Sequence, residues 1–237
     1  MNLIVIPTFN TTEENFNNIL TLKNKFPTDT VYVVDNSKNQ NDFEHHFIKN
    51  NILYEKSIFG GRYEPGALLQ AYQKFDADTY LLIQDSIFVD DEIFIREYFE
   101  KDLDLIVAFE FLYPSYWFLT HENFDFINSI FMDADDLLDN VFAFNHSSFL
   151  CRKKHLDFIV QCGVLSSQFL PINKCQQQAW ERIFGIVFGM SGHKLIALNC
   201  KGAKLTEEQT KWVKENWIVQ LNNPLSKYFI KKHGARA

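Results

Sequence analysis

The segment TYLLIQDSIFVDD, residues 79–91, decides how the chain is read. Tyr80, Leu81, Leu82 and Ile83 form an apolar run without polar interruption, the pattern of a short strand buried on both faces. The run stops abruptly at Gln84, Asp85 and Ser86, which puts a carboxylate at the carboxyl end of a central strand. Ligands of open α/β sheets bind at that edge, so Asp85 is the first residue to carry a functional reading. A turn cap is the other role open to an Asp after a strand.

The chain upstream repeats the pattern. Residues 3–6 (LIVI) make a first buried strand ended by Pro7; Thr11 and Glu14 have capping-box spacing, and Phe16, Ile19, Leu20 and Leu22 follow at helical intervals. A second apolar run, 31–34, ends in Asp35, Asn36 and Ser37. Phe43, Phe47 and Ile48 suggest a helix, and residues 52–54 a third strand. In FGGRYEPGALLQAYQKF, residues 59–75, Gly60 and Gly61 allow a tight turn or a close approach to a ligand, and Pro65 favours a helix start. Strand and helix in alternation predict an α/β fold with a mostly parallel central sheet and helices on both faces.

Downstream, 92–99 reads as a helix and 103–111 as a buried strand. From residue 112 the texture changes: LYPSYWFLTHENF is aromatic and broken, DADDLLD is acidic, and VFAFNHSSFL, residues 141–150, has the composition of a strand returning to the sheet. Helices are expected in 155–162 and 172–190, where Ala179, Ile183, Phe184, Val187 and Met190 share a stripe. A last strand at 194–198 and a closing helix at 207–217 follow. Without repeats or a linker, the expectation is a single domain over 1–237, with a nucleotide half at 1–111 and an acceptor half at 112–237.

Composition narrows the function. A net charge of −7 argues against a broad nucleic-acid footprint, which needs clustered Lys and Arg; the basic KKHGARA tail is too short to reverse that. The 24 Phe point to a bulky aromatic core. Cys151, Cys162, Cys175 and Cys200 have no CxxC spacing and read as buried free thiols of a reducing compartment. The N-terminal apolar run lacks a basic flank and is too short for a signal peptide or a membrane span, so a cytosolic location is expected, with peripheral membrane contact left open.

The order IVIPTFN, VYVVDNS, a glycine-bearing loop entering a helix, then YLLIQDS resembles the donor-binding half of GT-A glycosyltransferases, most of all the family 2 type and related viral and bacterial enzymes. The resemblance covers the first 90 residues well and the remainder loosely. It implies a nucleotide-diphosphate sugar donor, most often a UDP-sugar, and a glycan or other hydroxyl acceptor. It also implies that Thr8, Phe9 and Asn10 hold base and ribose, that Asp35 accepts a hydrogen bond from them, and that Arg62 reaches a phosphate. The residue chemistry allows this: a buried carboxylate discriminates through hydrogen bonds, and a guanidinium fork matches phosphate.

The family places Asp-x-Asp at the end of the fourth strand, the last carboxylate binding Mn²⁺ or Mg²⁺. Here the letters are Gln84, Asp85, Ser86 and Ile87, so one ligand is missing. A divalent ion shared between Asp85, water and a diphosphate remains feasible, because Mg²⁺ often needs only one or two carboxylates. Without it, positive charge would come from Arg62, Lys201, Lys204 or helix N-termini. Asp133, Ala134 and Asp135 also spell Asp-x-Asp, but in an acidic run that reads as an exposed helix start. The resemblance further implies a carboxylate base at the start of a helix in the second half, which falls on Glu181 of QQQAWERIFG, followed by Arg182 where the family has Asp. A Glu with a pKa of about 4.3 is ionised at neutral pH, and proton abstraction during in-line attack inverts the anomeric centre; a solvated helix flank is the alternative. Tyr113, Tyr116 and Trp117 suit either a sugar platform or the core. His146 and His193 suit either a phosphate or metal contact or a structural hydrogen bond. The expected activity is glycosyl transfer; the alternatives are an inactive nucleotide-sugar-binding module and a sugar nucleotidyltransferase.

Overall fold

The computed structural model describes all residues except 40, 102, 114, 116–118, 133–137, 139–141, 203–228 and 232–237. The chain condenses into two compact units, Met1–Leu103 with a short strand from near the C-terminus, and a second that starts at Asp104. The texture of the sequence alone puts the change at 111/112.

Unit 1 is built on four parallel strands: β1 (Asn2–Thr8), β2 (Thr30–Asp35), β3 (Leu53–Lys56) and β4 (Thr79–Leu82), in the order β3-β2-β1-β4. Leu3 to Ile6 and Tyr80 to Ile83 are at most 1% exposed, as uninterrupted apolar runs require. Pro7 does not end β1, which runs on to Thr8 in register with Asp35. Backbone direction alternates along a strand, so Pro7 faces the same neighbour as Val5, whose carbonyl accepts from Ile83 N at 3.1 Å. The β4 register ends at Val5, so the missing N–H of Pro7 falls where the β1–β4 ladder has already stopped.

Helices α1 (Glu13–Lys25), α2 (Glu44–Lys49) and α3 (Tyr63–Lys74) connect these strands, and α4 (Ile93–Glu100) follows them. The cap of α1 is Thr12, not Thr11: Thr12 Oγ1 accepts from Asn15 N at 3.2 Å, while Thr11 Oγ1 accepts from Asn41 Nδ2 at 2.8 Å. Residues 87–89 leave the organising segment as a separate strand, β5 (Ile87–Val89), which pairs antiparallel with β10 (Phe229–Lys231).

Unit 2 centres on β6 (Leu105–Tyr113). One edge of it carries β9 (Lys194–Gly202) in parallel, and the other carries β7 (Ala143–Phe144) and β8 (Phe149–Arg152), both antiparallel. The expected returning strand is therefore broken in two, because His146 (φ 63°) and Ser147 (φ 48°) are left-handed and a strand cannot pass through that conformation. Helices α5 (His121–Asn128), α6 (Lys153–Gln161) and α7 (Lys174–Met190) complete the described part. Phe111, Phe144, Phe149, Phe184 and Trp180 are at most 1% exposed and form the aromatic core that the Phe content predicts. Met190 departs from the expected stripe at 62% exposure, since it lies at the last residue of α7. The fold is α/β with mostly parallel strands. Among the described residues no helix is long and apolar enough to cross a membrane. Cys151 is buried as expected, but Cys162, just past the end of α6, is exposed.

Candidate active site

The strand order β3-β2-β1-β4 places a topological switch between β1 and β4, where chain leaving the two carboxyl ends diverges. Thr8 ends β1, and Phe9 and Asn10 follow it; Gln84, Asp85 and Ser86 follow β4; Asp35 ends β2 beside Thr8. The sequence-selected residues thus stand at one edge of one sheet.

Asp35 is the knot of that edge. Its side chain has no solvent exposure. Oδ1 accepts from Ser37 N at 2.8 Å and from Ser37 Oγ; Oδ2 accepts from Tyr54 Oη and Lys56 Nζ, both at 2.6 Å. Burial opposes its charge, but the Lys56, Ser37 and Tyr54 donors together outweigh burial and hold its pKa below the usual carboxylate value. Ser37 Oγ also accepts from Asn10 N at 2.7 Å, so a single carboxylate ties the loop after β1 to the ends of β2 and β3. Gly61 (φ 82°) brings the loop before α3 against this knot: a Cβ there would lie 3.2 Å from Asn36 O.

Three side-chain atoms of this edge are buried with no partner among the described residues: Thr8 Oγ1, Asn36 Oδ1 and Ser57 Oγ. Thr8 and Asn36 are 1% and 6% exposed, and they end β1 and follow β2. Buried polar atoms are almost always satisfied, so three orphans at the ends of adjacent strands give this edge spare hydrogen-bonding capacity.

Arg62 caps the start of α3, its Nε donating to Phe59 O at 3.2 Å, and Tyr63 beside it is left-handed at φ 53°. Gln84 donates through Nε2 to the fully buried Glu64 at 2.7 Å. Asp85 is 1% exposed; its Oδ2 accepts from Asn15 Nδ2 at 3.1 Å, and its carbonyl accepts from Asn18 Nδ2 at 2.8 Å. Ser86 is 3% exposed. Asn15 and Asn18 escape a reading of the sequence because they are polar, yet with Ile19 and Leu22 they have the i, i+3, i+4, i+7 spacing of one buried helix face. That spacing is the signal that finds them.

In unit 2, Glu181 lies on α7 at 9% exposure. Its Oε1 accepts from His146 N at 3.1 Å and its Oε2 pairs with Arg182 Nη1 at 2.9 Å. Arg182 is held in turn by the carbonyls of Ser115 (2.8 Å) and Gln178 (3.0 Å). Glu110 on β6 accepts from Asn145 Nδ2, and its Oε2 lies 3.7 Å from His146 Nε2. Glu110 and Asn145 leave no pattern in the sequence that singles them out. Tyr116, Trp117, Asp133, Ala134, Asp135 and Lys204 lie outside the described residues, as does the expected helix at 207–217; Lys201 is in β9.

Two places could be asked to hold a metal. At the end of β4, Asp85 is the single carboxylate of its loop, flanked by Gln84 and Ser86 and followed by the buried Ile87. That donor set suits an ion whose remaining ligands are water and ligand oxygens. In unit 2, Asp104, His155 and His193 bring their ligand atoms within 4.8 Å of one another. The donor chemistry there does not fit a cation. His155 Nδ1 accepts from Arg152 N at 3.1 Å, so the neutral ring carries its proton on Nε2, which faces Asp104 at 3.3 Å with no lone pair to offer. Lys154 Nζ already lies 2.8 Å from the same Asp104 oxygen. Burial pushes the His155 pKa down to about 4, in spite of Asp104.

No protein-family model matches the chain, and no curated protein does. Among solved structures, glucosyl-3-phosphoglycerate synthase from Mycobacterium tuberculosis, in complex with Mn²⁺ and UDP-glucose, is similar at 11% identity and a TM-score of 0.43 over 89% of this chain and 74% of that one. The galactosyltransferase LgtC with donor and acceptor sugar analogues is similar at 13% identity and 0.43, over 78% and 70%. A CMP:2-keto-3-deoxy-manno-octonic acid synthetase complexed with CTP is similar at 9% identity and 0.46, over 90% and 95%. At such identities and TM-scores these likenesses concern the outline of an α/β fold, and the site stands on its own residues.

Proposed function

We propose that the chain is a GT-A-type glycosyltransferase that moves a sugar from a nucleotide-diphosphate sugar, a UDP-sugar in the first instance, to a hydroxyl acceptor. The observation that carries this reading is the set of buried atoms Thr8 Oγ1, Asn36 Oδ1 and Ser57 Oγ, unpartnered among the described residues, beside the Asp35 knot. A base and ribose offer both donors and acceptors to such atoms, and a pre-built knot spares the ordering cost of binding. Asp35 keeps the loops in place, Phe9 and Asn10 flank the nucleoside, and Arg62 meets the diphosphate. Asp85 faces the diphosphate and shares any Mg²⁺ or Mn²⁺ that arrives with it, a cation that offsets charge on the leaving group. In-line attack by the acceptor hydroxyl inverts the anomeric carbon.

Calorimetry with UDP and with UDP-sugars, with and without Mn²⁺, tests the reading. UDP should bind the wild type and bind Thr8→Val and Asn36→Ala each roughly tenfold more weakly, as expected for one lost hydrogen bond to a buried group. Absence of binding by UDP and by other nucleoside diphosphates would remove it. A nucleotide-binding module without turnover shares the same orphaned atoms and has the single carboxylate of the β4 loop in its favour. Release of UDP from UDP-sugars separates the two.

A further inference from the structure

Helix α1 carries two side chains that its own folding does not call for. Asn15 and Asn18 are 2% and 6% exposed, on the buried face they share with Ile19 and Leu22. Asn is a weak helix former, and burying an amide costs free energy unless it is hydrogen-bonded, so apolar residues would serve the helix better at both positions. What both amides reach is the turn that follows β4. That turn closes on itself through Ile87 N, which donates to Gln84 O at 3.0 Å and leaves Asp85 at its first corner. Asn15 Nδ2 donates to Oδ2 of the Asp85 carboxylate at 3.1 Å. Asn18 Nδ2, nearly one turn further along the helix, donates to the carbonyls of Asp85 and Ile87, both at 2.8 Å. Thr12 Oγ1, which caps the helix, accepts from Asn15 N at 3.2 Å, so the cap fixes the residue whose side chain meets Asp85. A second helix joins in, since the fully buried Glu64 of α3 takes the Gln84 amide at 2.7 Å.

We propose that Asn15 and Asn18 are positioning residues of this edge: Asn15 aims the Asp85 carboxylate and Asn18 sets the backbone turn that carries it, so that a divalent cation meets a carboxylate already held in place. On the reading of the edge as a nucleotide-sugar site, on which this rests, α1 governs how the edge responds to the cation. A carboxylate that is the single acid of its loop gains most from being fixed, because no second one shares in ordering the ion. Hydrogen-bond partners of a ligating carboxylate commonly change metal affinity by roughly 10- to 100-fold. A neutral amide suits the task. It orients a carboxylate oxygen through one lone pair and adds no charge, whereas Lys or Arg at position 15 would compete with the cation. Asp at position 15 would act in the opposite sense, setting two carboxylates side by side that repel until an ion comes between them.

Mn²⁺ titrations of the full chain followed by electron paramagnetic resonance, with calorimetry of UDP alongside, test this. Asn15→Ala and Asn18→Ala should each bind Mn²⁺ in the presence of UDP roughly tenfold more weakly than the wild type. The gain in UDP affinity that Mn²⁺ brings should shrink by the same factor. That gain is a ratio of two measurements on one variant, so a general loss of folded protein does not imitate it. Asn15→Asp supplies a change of sign: without Mn²⁺ it should melt below the wild type, and Mn²⁺ should raise its melting temperature further than it raises that of the wild type. An alanine variant that keeps the full Mn²⁺ gain strikes its residue from the role, and both doing so would overturn the proposal. An Asn15→Asp melting temperature that Mn²⁺ moves no further than that of the wild type would overturn the aiming of Asp85. A wild type that binds UDP equally well with and without Mn²⁺ would overturn the proposal and leave the nucleotide reading standing; a wild type that binds no nucleoside diphosphate would overturn both.

Discussion

The strand edge of unit 1 and the 145–147 turn of unit 2 both bury a carboxylate, and they satisfy it by different means. Asp35 gathers hydroxyls, an amide N–H and the Lys56 ammonium from residues none of which stands at positive φ. Glu181 pairs with the more deeply buried Arg182 and takes its second donor from a left-handed backbone. The first arrangement fixes loops mainly through side-chain donors, with Asn10 of the tied loop left-handed (φ 50°), and leaves neighbouring polar atoms without partners among the described residues, which suits a binding edge. The second holds two consecutive left-handed residues, with the His146 ring half-buried above them.

The sharpest way to break the contrast is Asp35→Ala, which leaves Lys56, Tyr54 and Ser37 without their shared acceptor. Urea unfolding should show a loss of about 3 kcal/mol, from the hydrogen bonds of Tyr54 and Ser37 to the buried carboxylate; Lys56 is 43% exposed and returns to solvent. A loss near zero would mean that the knot is incidental to the edge. Next comes Gly185→Ala, which forces a Cβ onto the Phe142 carbonyl and should cost about 2 kcal/mol through backbone displacement, with loss of the close packing around the 145–147 turn. Thermal melts measure it, and an unchanged melting temperature would show that α7 does not constrain the turn.

Acid unfolding separates the units by pH. His155 has a folded pKa of about 4, below its unfolded value of about 6.5, so the unfolded chain binds the proton first. Stability should therefore fall as pH drops from about 6.5 to about 4, with a slope of order 1 kcal/mol per unit, and His155→Gln should flatten that segment. Asp35 also has a lowered folded pKa, so its contribution is intact above its unfolded value of about 3.9 and is lost only as pH falls below it. A single transition unaffected by His155→Gln would contradict this order. The smallest effect is the most diagnostic in sign. Thr8→Val replaces a buried hydroxyl that has no partner among the described residues, so it should stabilise the ligand-free protein by up to about 1 kcal/mol while weakening UDP. Destabilisation by this change would show that Oγ1 already serves the fold.

Much of unit 1 is legible in the chain because buried parallel strands advertise themselves as short apolar runs that end in polar residues, as at Asp35 and Asp85. The departures there have identifiable reasons. Pro7 stays inside its strand because the register of β4 ends before it. Asn15 and Asn18 are easy to pass over because a polar residue on a buried helix face looks like solvent contact until its partner, here the Asp85 loop, is known. The broken strand at 141–150 could not be foreseen, since a left-handed backbone at His and Ser leaves no trace in composition.

The sequence by itself determined the alternation of strand and helix, the α/β class and the row of polar residues that follow the strands, because burial and backbone pairing act through local periodicity. Tertiary structure alone decided which polar atoms are used up and which are left over. Hydrogen bonding is short-ranged and directional, so whether Asp35 meets Lys56, or Glu181 meets the turn at His146, depends on segments that only folding brings within about 3 Å of each other.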